Sequence, residues 1–347
     1  MKLWHKILMA VGLVIVIAVG FTVYNADAGE RAVGFQTAQA TDAKGNQFPI
    51  AIWYPTEAQQ LPSTFLGLNL MKVARDGPIA GTRLPLVVIS HGNGAGMTAH
   101  VDLALALASN GYIVAAPMHS GDNFQDQSGV GTANFFHLRA QQLRATIDHV
   151  ANRWTGRGQV DRQRIGAFGM SMGGFTVLTA VGATPVLGRI ATHCGKAREF
   201  ACDVLRHFKS PYLLAQQQSV EPIVPDDRIK AAVLAAPGFG FTLTEAGLDN
   251  VRVPIQLWTA ELDDKVPDAG PVRHLGPRVD HQRVAGAGHL SFLAPCRSLL
   301  RPAALCSDAP GFDRAAFHTM MNASVVRFFD RHLKPAGQKS VNPASAL

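Results

Sequence analysis

Charge is scarce in this chain of 347 residues: only 16% are Asp, Glu, Lys or Arg, against 47% hydrophobic. So few charges beside so much apolar surface exclude a disordered polymer, and at this length the chain can bury a large core. Runs of basic residues are absent, so the formal net charge of +7 reads as a dispersed, solvated surface and not as a nucleic-acid footprint. No internal repeat is visible. Cysteine is sparse as well, with four in two close pairs: Cys194 with Cys202, and Cys296 with Cys306. Two disulfides are the expected use of that spacing in an exported protein. Free thiols are the alternative, as is a zinc site from His193, Cys194, Cys202 and His207, whose spacing matches no usual zinc motif.

The N-terminus supplies the export argument. Lys2 and Lys6 precede an apolar run over residues 7–23, and Ala26-Asp27-Ala28 has the small-x-small form of a cleavage site. Residues 1–28 are therefore expected to be a signal peptide cleaved after Ala28, or an uncleaved membrane anchor over residues 7–23. Both readings put the remainder outside the cytoplasm, periplasmic or secreted. One domain is expected over residues 29–335, with 336–347 as a tail.

Alternating strand and helix patterns fill that domain. Phe136, Ala140, Leu143, Ile147 and Val150 form one apolar helical stripe, and Phe317, Met321, Val325 and Phe328 another. Residues 84–89 are continuously apolar, as a strand buried on both faces must be. The same holds for residues 165–168, which lead into Gly169-Met170-Ser171-Met172-Gly173-Gly174 and then a helical run. A serine between a strand and a helix, flanked by glycines, is a nucleophile elbow: the turn is too tight for neighbours with a Cβ. The helix N-terminus then faces the point where an oxyanion would form.

An elbow needs an acid and a base, in that order along the chain. Residues 253–258 read as a buried strand whose exit holds Glu261, Asp263 and Asp264; Asp263 is the preferred acid and Asp264 the next. Residues 282–285 read as the following strand, ending at Gly286-Ala287-Gly288-His289, and His289 is the expected base. After the strand at 84–89 comes Ser90-His91-Gly92-Asn93-Gly94, a loop able to turn amides inward. The backbone N–H groups of Asn93 and Met172 are the expected oxyanion donors, with His91 bracing the loop. Residues 185–227 interrupt the pattern after the elbow helix as a cap-like insertion. Phe200, Leu205, Phe208, Tyr212 and Leu213 either line a pocket there or pack the insertion onto the body. Residues 56–83 are a second insertion, a candidate further wall of the site.

These motifs together resemble the predicted dienelactone hydrolases, relatives of the platelet-activating-factor acetylhydrolases within the α/β-hydrolase superfamily. The likeness extends over residues 31–333, including the stretch from Pro310 to His318. It implies an α/β fold with a mostly parallel central sheet flanked by helices, and Ser171, His289 and Asp263 as nucleophile, base and acid. It implies hydrolysis of a small-molecule carboxylic ester, with no cofactor, metal or protein partner. Two departures stand out. Dienelactone hydrolases carry a cysteine nucleophile where this chain has Ser171, and Met170 stands where many esterases have histidine. A phospholipase, a polyester or lipid hydrolase, and a catalytically silent binding module remain as alternatives.

Overall fold

Apolar segments with no polar face can be accommodated only as strands covered on both sides, and that is how this chain folds. The computed structural model describes residues 4–5, 9–14, 20, 26–65, 69–214, 223–267, 270, 272, 278–296 and 303–335. An antiparallel pair opens the fold, β1 (Val33–Thr41) and β2 (Gln47–Pro55), followed by the hairpin β3 (Leu61–Phe65) and β4 (Asn69–Arg75). Next come β5 (Leu84–Ser90), α1 (Val101–Ser109), β6 (Ile113–Pro117), α2 (Phe135–Asn152), β7 (Val160–Met170) and α3 (Met172–Ala180). The short helices α4 (Arg189–Cys194) and α5 (Phe200–His207) precede β8 (Ile229–Ala235), β9 (Ile255–Ala260) and β10 (Val279–Val284). A single turn, α6 (Ala303–Cys306), and the long α7 (Arg314–Leu333) close it.

Among the described residues the strands form one ten-stranded sheet in the order β10-β9-β8-β7-β5-β6-β2-β1-β4-β3. From β10 to β6 every pairing is parallel, so all those strands deliver their C-terminal ends to one edge, where such folds build their sites. Strand periodicity divides the core. Val87 and Ile89 of β5 and Val233 of β8 face the cluster covered by α1 and α7, while Leu86, Val88 and Leu234 face the one covered by α2 and α3. Both predicted helical stripes are buried: Phe136, Leu143, Ile147 and Val150 on α2, and Phe317, Met321, Val325 and Phe328 on α7.

The insertion over residues 56–83 does not wall the site. It supplies β3 and β4, which extend the sheet at the edge farthest from β10; β4 pairs with β1 through Gly34 and Phe35. Residues 185–214 hold α4 and α5 between α3 and β8, and residues 215–222 lie outside the described residues. Ile190, Cys194, Cys202 and Leu205 pack into one cluster with Phe135, Phe136, Met172, Phe175 and Phe239. Leu205 is buried, Phe208, Tyr212 and Leu213 lie against that cluster, and Phe200 is exposed. α4 and α5 are thus seated by apolar packing directly on the helix that starts at Met172.

Both cysteine pairs are bridged, Cys194 to Cys202 within the cap and Cys296 to Cys306 after the histidine loop, with Cα separations of 5.2 and 5.7 Å. The zinc reading fails here, because the bridge takes both of its thiols. Most of the apolar run over residues 7–23, and the tail 336–347, lie outside the described residues. Among the described residues no helix is long and apolar enough to cross a membrane. Ala26 and Asp27 are buried, with Asp27 hydrogen-bonded through its backbone to Leu70 and Lys72 of β4.

Candidate active site

Ser171 sits between the last residue of β7 and the first of α3 with φ 57° and ψ −119°. Non-glycine residues avoid this region, and the strain is of order 1–3 kcal/mol. Three backbone hydrogen bonds hold it there. Ser171 N–H donates to the Ala235 carbonyl at 2.8 Å, and its own carbonyl accepts from Phe175 and Gly238 at 3.1 and 3.0 Å. The turn leaves no space for side chains beside it. A Cβ on Gly169 would lie 2.1 Å from the Gly173 carbonyl oxygen, and one on Gly173 would lie 1.9 Å from that of Ser90. The Ser171 hydroxyl is half-buried and has no hydrogen-bond partner among the described residues.

His289 follows Gly288 at the start of a short turn, His289–Phe292, beyond the end of β10. Its Nδ1 lies 2.8 Å from Asp263 Oδ2, and both side chains are only 3% exposed. A carboxylate accepts, so Nδ1 carries the proton and Nε2 keeps its lone pair. The other oxygen, Asp263 Oδ1, accepts from the backbone N–H of Lys265 and Val266 at 2.9 and 2.7 Å. Asp264, by contrast, is 73% exposed and pairs with Lys265. Glu261 holds the neighbouring turn, accepting from Gly286 N–H and facing Arg283. The three candidates at this strand end are thereby separated by geometry.

The glycine loop after β5 lies against Ser171: a Cβ on Gly92 would come within 3.4 Å of Ser171 Cβ. Neither the Asn93 nor the Met172 backbone N–H has an acceptor among the described residues. His91 braces this loop. Its Nδ1 donates to the Gly92 carbonyl at 2.7 Å, and its Nε2 accepts from His119 N–H at 3.1 Å. That pattern requires the neutral ring, in accord with burial and the nearby Arg139 charge lowering its pKa well below the ordinary value.

One group behind the loop escaped the sequence reading. Arg139 of α2 and Asp122 are each about 1% exposed and form an ion pair at 2.5 Å. Arg139 also donates to the His91 carbonyl, to Ser90 Oγ at 3.3 Å and to Thr176 Oγ1 of α3 at 3.1 Å. The signal was present: position 139 falls on the same helical face as Phe136 and Leu143, and a charge on a buried stripe needs a partner. Gln142, one turn on, accepts from His119 Nδ1 at 2.9 Å, whose Nε2 in turn accepts from Ser90 Oγ.

The histidine turn has its own clamp. His318 of α7 donates from Nε2 to the Ser291 carbonyl at 2.8 Å and from Nδ1 to Asp102 Oδ2 of α1 at 2.6 Å. Ser291 Oγ accepts from Gly288 N–H and donates to Asp308, which takes two hydrogen bonds from Arg314. Burial opposes a charge on His318, and Arg314 also lowers it, yet Asp102 and the Ser291 carbonyl raise its pKa overall. Burial would raise Asp102 too, but the His318 charge and hydrogen bonds from His318 and Asn322 hold it far below the usual carboxylate range. The signs follow by linkage. His318 contributes fully below its ordinary value of 6.5 and loses its contribution as pH rises through the raised pKa; Asp102 loses its own only on strong acidification. The melting temperature of the wild type should therefore exceed that of His318→Gln most at about pH 5–6, with the gap narrowing on the alkaline side. A gap that stays flat from about pH 5 to 9 in thermal melts would contradict a charged His318.

A mostly parallel sheet with a strained serine turn, a glycine loop and a buried Asp–His pair at the same edge is the arrangement of the α/β-hydrolase fold, and this chain has that fold. Residues 56–148 match the family of platelet-activating factor acetylhydrolase, isoform II. Over 92% of this chain and 96% of the other, the structure superposes on a ferulic acid esterase from Streptomyces cinnamoneus with a TM-score of 0.57 at 19% identity. Comparison with curated protein sequences yields no match. The chain thus shares its fold with that esterase and, over residues 56–148, its sequence pattern with that acetylhydrolase family.

Proposed function

We propose that this protein is an exported serine esterase acting on carboxylic esters, with Ser171 as nucleophile, His289 as base and Asp263 as acid. The catalytic domain spans residues 29–335, with residues 185–227 as its cap. The observation that carries this reading is the buried 2.8 Å hydrogen bond between His289 Nδ1 and Asp263 Oδ2 at the sheet edge that also presents Ser171. It leaves Nε2 as the basic nitrogen.

His289 Nε2 takes the hydroxyl proton as Ser171 Oγ attacks the ester carbonyl carbon. The C=O electron pair moves onto oxygen, where the amides of Asn93 and Met172 each contribute about 3 kcal/mol of stabilisation. Collapse of the adduct expels the alcohol, which receives the proton from His289. Water then enters, loses a proton to His289 and attacks the acyl-enzyme, releasing the acid and restoring Ser171. Asp263 stays ionised throughout and holds the imidazole tautomer. The Ser171–His289 hydrogen bond is expected to close in the substrate complex, as such contacts often do.

Export is supported by the two disulfides and by the apolar run at residues 7–23. An anchored form would keep the pairing of Asp27 with β4; cleavage after Ala28 would remove it.

Short acyl chains fit best. The cap packs Ile190, Cys194 and Leu205 into one cluster with Met172, so the wall beside the nucleophile is already filled. A cavity of about 770 Å³ opens on the cap around Arg189, His193, Lys196 and Phe241, but the three catalytic candidates do not line it. On p-nitrophenyl esters, kcat/KM should rise about fourfold per methylene and then fall sharply after a short optimum, since each buried methylene is worth about 0.8 kcal/mol. The second reading, a lipid or polyester hydrolase, is favoured by exposed Phe124, Phe200 and Leu262. A long-chain optimum, or activation at a lipid interface, would select it. Failure of a fluorophosphonate to label the protein would instead point to a binding module.

A further inference from the structure

We infer that Arg139 and Asp122 are positioning residues that set the two oxyanion amides relative to each other. The inference rests on the esterase reading above and deepens it.

Each contact of this buried pair ends on a segment that presents one of the two amides. On the Asn93 side, Asp122 Oδ1 accepts from Asn93 Nδ2 at 2.6 Å and from Gly94 N–H at 2.8 Å. The Asn93 side chain and the Gly94 amide are thereby fixed from behind, while the Asn93 N–H has no acceptor among the described residues. Arg139 adds a hydrogen bond to the His91 carbonyl and another to Ser90 Oγ, at the point where β5 becomes the loop. On the Met172 side, Arg139 Nε donates to Thr176 Oγ1, whose hydroxyl donates to the Met172 carbonyl at 2.9 Å. One guanidinium thus ties the glycine loop to the first turn of the elbow helix. Its planar fork of donors suits that task, which a lysine could not perform.

The placement is costly unless it does something. Two charges at 1% exposure have lost their hydration, and such pairs often stabilise a fold no better than apolar residues would. An oxyanion hole, however, works only when its donors are held in place before the charge develops. A buried pair hydrogen-bonded to the segments behind both donors meets that requirement.

The test uses Asp122→Asn, Arg139→Lys, Asn93→Ala and the Asn93→Ala/Asp122→Asn double variant, assayed on p-nitrophenyl butyrate and with a trifluoromethyl ketone of matched acyl length. That ketone adds Ser171 and presents an oxyanion. Loss of a whole oxyanion donor lowers kcat by about 100- to 1000-fold, so displaced donors should lower it by about 10- to 100-fold. KM should stay within about threefold, and the Ki of the ketone should rise in step with the fall in kcat/KM. The double variant should be little worse than Asp122→Asn alone, because both act through one contact. Asn93→Ala leaves the buried pair intact, so it decides the matter if the charge variants do not fold. Variants with lowered melting temperature but wild-type kcat and ketone affinity would make the pair purely structural and overturn the inference. A wild type that neither hydrolyses the ester nor is labelled at Ser171 would overturn the esterase reading itself.

Discussion

Ser171→Ala should lower kcat for ester hydrolysis by about six orders of magnitude, the usual loss when a serine hydrolase keeps its hole but not its nucleophile. The fold should be unaffected. The substitution deletes one hydroxyl that has no hydrogen-bond partner among the described residues. The three backbone hydrogen bonds that hold φ at 57° involve no side chain, so alanine is held in the same strained turn. The measurement is a p-nitrophenolate assay beside a fluorophosphonate labelling experiment read by mass spectrometry, with thermal melts of both proteins. Label retained on the variant would assign the nucleophile elsewhere.

Asp263→Asn should lower kcat by about 10⁴-fold, while Asp264→Asn stays within about twofold of wild type. The difference follows from who occupies the second oxygen. Backbone N–H groups of Lys265 and Val266 both point at Asp263 Oδ1, so an asparagine would turn its carbonyl oxygen to them. Its NH2 would then face His289 Nδ1 and force the proton to Nε2, the nitrogen that must accept from Ser171. Asp264 is 73% exposed and pairs, among the described residues, with Lys265. Steady-state kinetics on the two variants read this directly. A reversed order would make Asp264 the acid and would contradict the buried geometry.

The serine elbow, the two strand ends that carry Asp263 and His289, and the glycine loop were legible because each is local. Gly169 and Gly173 sit next to the serine they accommodate, and the strands leading to Ser171 and His289 declare themselves by apolar runs. Strand ends were less legible: the strand read at 253–258 is Ile255–Ala260, and that read at 282–285 is Val279–Val284. Apolar residues continue into turns, and only ladder pairing, as between Val284 and Ala260, marks where the strand stops. The stretch over residues 56–83 was misread because an edge hairpin and a wall over a site have the same polar, irregular pattern. Which of them forms depends on β1 offering a free edge.

The sequence by itself determined the class of fold, the serine at its apex, the histidine that follows Gly288 and the pairs in which the cysteines join. Periodicity, tight-turn glycines and short spacings act over a few residues, so the chain carries them wherever it is read. Only the tertiary structure decided that Asp263 and not Asp264 meets His289, that Arg139 and Asp122 meet behind the glycine loop, and that His318 reaches Ser291 from a distant helix. Those choices join residues separated by 17 to 27 positions. They depend on burial, which removes water as the competing partner, and burial does not exist until the sheet has been covered on both faces.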